Sequence, residues 1–321
     1  MSFSQESGNP RQTTRLFPSR ISLGIILVLL SATGFAAKGI LAKMAYGEGL
    51  NPSTVLSMRM LSVLPVYLSG LVWFGRRGPG LRPDLRHPDF WKVVLLGLLG
   101  FDLSAVLDFD GLLRIGAGLE RLVLFLYPTF VIFLSALMKR RGIGLREILS
   151  SLLAYGGLLV ITGGHVASDA GERAGVLLVL GSGIFYAVYL VGVERVVRRV
   201  DPLYLTSLVM VVATSAIVFQ AIFSGTFHPG QANGRALFLI GIMGIFSTAL
   251  PTFFMTAGIS LIGASRAALL SFFGPVVTLV MAAIFLGERM DVREGAGAFL
   301  IILGVGMVAF GGEKGQLRKS E

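Results

Sequence analysis

Apolar positions along this chain neither alternate nor fall on one stripe of a helix; they run on. From Ile21 onward, stretches of apolar residues follow one another, separated by short segments carrying Gly, Pro, Arg and Asp. Runs of about 20 residues that are apolar on every face suit helices crossing roughly 30 Å of hydrocarbon, not strands or amphipathic surface helices. Setting each run against its turn signals predicts ten helices, over 22–44, 53–74, 91–110, 117–138, 145–164, 174–194, 203–223, 235–255, 263–286 and 294–312.

The pattern repeats within the chain. A shift of 147 lays residues 111–164 on 258–311 without a gap, matching Phe125 with Phe272, Pro128 with Pro275, Arg146 with Arg293, Glu147 with Glu294 and Gly157 with Gly304. A shift of 150 pairs Phe35 with Phe185, Ala37 with Ala187 and Pro52 with Pro202. Five helices are duplicated, and because five is odd the two copies cross the membrane in opposite directions. Their loops differ accordingly: "KRRGIGLRE" is strongly basic, whereas its counterpart "LGERMDVRE" is slightly acidic. The expected fold is an all-α integral membrane protein of ten transmembrane helices in two five-helix inverted-topology repeats, 21–164 and 174–312, with tails 1–20 and 313–321. Inverted repeats of this kind build transporters whose central site opens alternately to the two sides.

Composition agrees. Hydrophobic residues make up 54% of the chain and charged residues only 14%, with 42 glycines and a mean hydropathy of +0.78, which excludes a soluble globular protein. The net charge of +10 does not point to nucleic acid, because the basic residues are scattered through short loops rather than gathered on one soluble face. With the N-terminus inside, one set of segments holds Arg11, Arg15, Arg20, Arg76, Arg77, Arg82, Arg86, Lys92, Lys139, Arg140, Arg141, Arg146, Arg195, Arg198, Arg199, Arg266, Lys314, Arg318 and Lys319. That is 19 of the 28 basic residues. The opposite loops hold Arg114, Arg173, Arg235, Arg289 and Arg293, so both termini are expected in the cytoplasm. The first run is longer than a signal-peptide core and leads straight into further spans, so it reads as a span. No cysteine is present, which removes disulfides and thiolate metal sites.

The stretch "ASRAALLSFFGPVVTLVMAAIFLGERMDVREGAGAFLIILGVGMVAF", residues 264–310, resembles the second-repeat signature of the EamA-type members of the drug/metabolite transporter superfamily, including the helix-9 proline and the closing "LGE". The first repeat departs from that pattern: "SATGFAAKG" replaces the usual tryptophan-containing start, and "LMKRRGIG" lacks the "LGE" form. The resemblance spans about 21–312. It implies a basket-like ten-helix secondary transporter, commonly an exporter of amino acids or related metabolites, in a bacterial cytoplasmic membrane. A multidrug or other metabolite transporter is the alternative. The partners expected are a small-molecule substrate and the bilayer, with a coupled ion or proton open; no cofactor, metal or nucleic acid is expected.

Charges inside the spans are the candidate chemistry, since each costs at least ~2.5–3.5 kcal/mol at the bilayer centre. Lys38 in "GFAAKGILAK" lies near the outer boundary, about 24 Å along helix 1 from Ser22. Two readings stay open for it: snorkelling to the headgroups, as expected of Lys43, or facing a cavity and a substrate carboxylate. Asp102 in helix 3 is sharper, a mid-span carboxylate that either meets a structural cation such as Arg59 or Lys38, or contacts a substrate amine or a proton. Asp108 and Asp110 read as rim charges. Glu120 sits in the first turn of helix 4, where the helix dipole also favours it. Arg59 reads as a structural charge. Phe35, Phe109, Tyr127, Phe185 and Tyr189 offer an aromatic binding wall, and Trp73 and Trp91 read as interface anchors. The signs of a membrane enzyme are missing: no HExxH pair, no phosphate loop, and His87, His165 and His228 all in predicted loops.

Overall fold

A computed structural model describes residues 20–76, 88–112, 114–115, 117–163, 170–286 and 291–310. All regular structure among them is helical, and ten spans follow in order. Span one is α1 (Arg20–Gly47) and span two is α2 (Pro52–Gly75). Span three joins α3 (Pro88–Gly97) to α4 (Ser104–Leu112), and span four joins α5 (Ala117–Leu124) to α6 (Tyr127–Lys139). The next three are α7 (Leu145–Thr162), α8 (Ala170–Val196) and α9 (Pro202–Phe223). Span eight joins α10 (Gly234–Gly244) to α11 (Leu250–Ile262), span nine joins α12 (Ala264–Leu270) to α13 (Phe273–Leu286), and α14 (Val292–Ala309) is the last. Among the described residues nine stretches are long and apolar enough to cross a membrane. The tenth, α7, carries Arg146, Glu147, Ser150 and Ser151, and packs along α14.

Four of the spans are not uniform helices, and the departures come in repeat-related pairs. Leu98–Leu103 and Ile245–Ala249 are π-helical turns, with Ser104 N–H donating to Leu99 O and Leu250 N–H to Ile245 O. A shift of 147 carries Leu98 onto Ile245. In the second case Pro251 follows and has no N–H to continue the ladder, so the turn widens there. Spans four and nine, expected as continuous helices, are each broken into two, at Phe125–Leu126 and at Ser271–Phe272. The cause is Pro128 and Pro275, which cannot donate to the carbonyl four residues earlier.

Repeat-related capping explains the duplicated Arg-Glu landmark. Glu147 accepts from Gly144 N–H at 3.0 Å and Glu294 from Asp291 N–H at 2.9 Å, so α7 and α14 both start with a glutamate capping the backbone N–H three residues back. These two helices cross at glycines: a Cβ on Gly157 would fall 2.4 Å from Gly297 O, and one on Gly297 would fall 2.5 Å from Gly157 O.

Tertiary hydrogen bonds reset one register. Ser31 Oγ donates to Pro251 O at 2.7 Å, while Ser104 Oγ lies 3.0 Å from Ser182 Oγ and 3.2 Å from Ser182 O. Ser104 and Pro251 are related by 147, so Ser31 corresponds to Ser182, a shift of 151. Tyr186, one residue beyond Phe185, therefore occupies the position equivalent to Phe35, and Tyr189 the position equivalent to Lys38. Pro52 and Pro202 still pair at 150, each at the start of its helix, so the one-residue slip lies between.

Candidate functional site

The centre of the bundle is an aromatic run. Phe125 and Phe272, repeat mates beside the breaks in spans four and nine, have ring centroids 5.8 Å apart. From Phe125 the run passes to Tyr127 (6.0 Å), Tyr186 (5.1 Å), Tyr189 (5.9 Å, stacked) and Phe101 (5.0 Å); from Phe272 it passes to Tyr155 (5.2 Å). Tyr155 is hydrogen-bonded to Thr129. Gly100 lets Tyr189 approach: a Cβ there would fall 2.4 Å from the tyrosine ring. Tyr127 and Tyr189 are both buried in this run, and Phe35 packs against the same core. Phe185 takes no part among the described ring contacts; one residue from Tyr186, it points about 100° away around α8. The side chain of Phe109 lies outside the described residues.

Asp102 follows Phe101 within the first π-turn, a backbone form frequent at functional sites. It is half-buried, and its Oδ1 is enclosed with no hydrogen-bond partner among the described residues. Lys38 is half-buried and engaged in a polar or electrostatic contact. It lies two turns beyond buried Ser31, on the face of α1 that also presents Phe35. Its equivalence to Tyr189 places it opposite the second π-turn, which α1 touches directly.

Arg59 is 8% exposed in the interior of α2, and its Nε meets no hydrogen-bond partner among the described residues. Its electrostatic neighbours include the hydroxyl groups of Tyr46 and Tyr67. Tyr67 links it onward: its hydroxyl lies 3.0 Å from Thr252 Oγ1, its ring 5.5 Å from Phe253, and it also senses Tyr189. Tyr46 in turn interacts with Asp108. Glu120 is buried in the first turn of α5 and makes a polar or electrostatic contact.

Charged side chains link the helices at the end of the bundle where α6 and α8 finish. Lys139 Nζ donates to Glu194 Oε1 at 2.6 Å, and Glu194 Oε2 accepts from Ala264 N–H at 3.2 Å. Arg141 makes two bonds to Glu147, at 2.8 and 2.7 Å, and reaches Ser265 Oγ at 3.5 Å. That bonding raises the Arg141 guanidinium above its ordinary value. The starts of α7 and α12 and the ends of α6 and α8 are thus held together. Near the opposite ends of α2 and α9 lies a cavity of about 540 Å³ with Asn51, Ser53, Asp110, Gln220 and His228 on its walls.

Sequence reasoning missed Phe101, Phe125, Tyr186, Phe272 and Glu194. Phe125 and Phe272 were already matched by the 147 shift; that repeat mates meet at the axis was the available signal. Tyr186 was hidden by the one-residue slip.

The model of the EamA-like transporter family matches this chain twice, at residues 22–163 and 173–310. An "Uncharacterized transporter YcbK" of Bacillus subtilis (strain 168) is 32% identical over 291 residues, covering 88% of this chain and 92% of that one. An "Uncharacterized transporter" of Archaeoglobus fulgidus is 29% identical over 268 residues, covering 81% and 89%. A solved crystal structure superposes with a TM-score of 0.76 at 16% identity, over 91% of this chain and 98% of that chain, and so shares its fold.

Proposed function

This chain belongs to the EamA-like transporter family and is a multi-pass membrane transporter, and we propose that it carries amino acids or related zwitterionic metabolites by alternating access. The observation that carries this reading is the enclosed Oδ1 of Asp102, without a hydrogen-bond partner among the described residues, beside the aromatic run. A carboxylate so placed suits a substrate ammonium, worth about 1.5–3 kcal/mol as a charged hydrogen bond. Lys38 takes the substrate carboxylate. Phe35, Tyr127 and Tyr189, with Tyr186 in place of Phe185, hold the apolar side chain; Glu120 lines the outer part of the path.

The breaks at Phe125 and Phe272 meet on the pseudo-two-fold axis, where a rocking of one repeat against the other exposes the same site to either side. The bonded end, with Lys139, Glu194 and Ala264, is cytoplasmic, following the basic bias; both termini lie on that side. The polar cavity near Asp110 and His228 is outward. Transport runs as export across a bacterial cytoplasmic membrane. Counterflow uptake into proteoliposomes of labelled amino acids, nucleosides and cationic drugs tests this reading. Exchange of amino acids alone is expected; exchange of cationic drugs alone would overturn the zwitterion assignment.

A further inference from the structure

Outside the central path, where α3 and α6 each pack on the last turns of α8, lies a cavity of about 510 Å³. Lys92 of α3, Lys139 of α6, Arg195 in the last turn of α8, and Arg198 and Arg199 just past its end bring five cations to it, against one carboxylate among the described lining residues, Glu194. That carboxylate is already committed to Lys139 at 2.6 Å and to the Ala264 N–H. The lining carries a second, independent feature. Ser135 is fully buried, lines the cavity, and its Oγ has no hydrogen-bond partner among the described residues. A buried hydroxyl without a partner costs about 1–3 kcal/mol, so an oxygen-bearing occupant is favoured there.

The surroundings are those of a membrane interface. Trp91, 63% exposed, stands beside Lys92 at the start of α3, and exposed Leu95 and Leu137 continue along α3 and α6 below the charges. Tryptophan of this kind sits at headgroup level, with apolar side chains below it facing acyl chains. Met138, Val191 and Val196 add apolar wall between the two.

We infer that this cavity binds the headgroup of an anionic phospholipid, such as phosphatidylglycerol. The phosphodiester lies among Lys92, Arg195 and Arg199, a headgroup or phosphate oxygen accepts from the Ser135 hydroxyl, and the acyl chains run along Leu95 and Leu137. Basic pockets between membrane helices are built to hold such lipids. The site is independent of the substrate proposed above; only the leaflet rests on the orientation given there.

Native mass spectrometry of the purified full chain in neutral detergent, titrated with phosphatidylglycerol, phosphatidylcholine or inorganic phosphate, tests it. Phosphatidylglycerol is expected to bind at least ten-fold tighter than phosphatidylcholine, and phosphate in large excess to leave it bound. Losing a surface cation weakens binding about five-fold, so Lys92→Gln, Arg195→Gln and Arg199→Gln together should weaken it roughly a hundred-fold. Ser135→Ala, which leaves every charge in place, should weaken it several-fold, and Arg76→Gln, outside the cavity, should not. Unchanged phosphatidylglycerol binding in both the triple variant and Ser135→Ala would overturn the site. Equal binding of phosphatidylcholine, or displacement by inorganic phosphate, would overturn the lipid assignment. Substrate flux in proteoliposomes separates this outcome from any failure of the transport reading.

Discussion

Phe125 and Phe272 occupy the same position in the two repeats, and their rings touch, centroid to centroid at 5.8 Å. Repeat mates can meet only on the axis that exchanges the repeats. The two helix breaks therefore face each other at the centre of the bundle, with the aromatic run extending from both.

This pairing predicts strong coupling. Phe272 is fully buried, so Phe272→Ala should cost about 3–5 kcal/mol, and Phe125→Ala somewhat less. Because the rings are in contact, the double variant should cost less than the sum, by about 0.5–1.5 kcal/mol. Thermal melts of the four proteins in one detergent measure the cycle; strict additivity would count against the contact.

Asp102→Asn should lower amino-acid counterflow at least ten-fold at matched protein level while the melting temperature stays within a few degrees. The enclosed Oδ1 serves no hydrogen bond among the described residues, so an isosteric amide removes charge without removing a structural contact. Near-native flux in Asp102→Asn vesicles would remove this residue from the substrate path.

Lys38→Gln should weaken zwitterion transport about ten-fold, and Lys38→Arg should retain more activity, since the charge survives although the geometry changes. A lysine merely anchored at the headgroups would tolerate glutamine, with wild-type flux as the result.

At the α7–α14 crossing, Gly297→Val should lower stability by about 1–3 kcal/mol, because the new Cβ falls 2.5 Å from Gly157 O. Gly156→Ala, one residue from that contact and open on its own side, should be neutral. Melting temperatures compare the two.

Glu194→Ala should release both Lys139 and the Ala264 N–H, loosening the bonded end of the bundle. The chain contains no cysteine, so a Ser271→Cys probe at the span-nine break reports alone. A membrane-impermeant maleimide applied from that end should label it several-fold faster in the Glu194→Ala background. Equal rates would show that this bond does not control access.

Ten spans and an inverted duplication were legible in the sequence because they depend on local quantities. The length of an apolar run is matched to the bilayer, and a duplicated Arg-Glu marks a duplicated helix start, where Glu147 and Glu294 each cap the N–H three residues back. The prolines at 128 and 275 were visible as repeat landmarks, yet their effect, two broken helices, depended on what the opened backbone packed against. Tertiary contact alone decided that Ser31 answers to Ser182, and hence that Tyr186 and not Phe185 joins the central rings. It also left the buried Ser135 hydroxyl without a hydrogen-bond partner among the described residues, in a cavity lined by five cations. The physical reason is distance along the chain. In hydrocarbon most side chains of a span are apolar enough to face lipid, so hydropathy alone does not mark the inward face. That face is chosen by close approach, serine to carbonyl and glycine to glycine, between residues 78 to 220 positions apart.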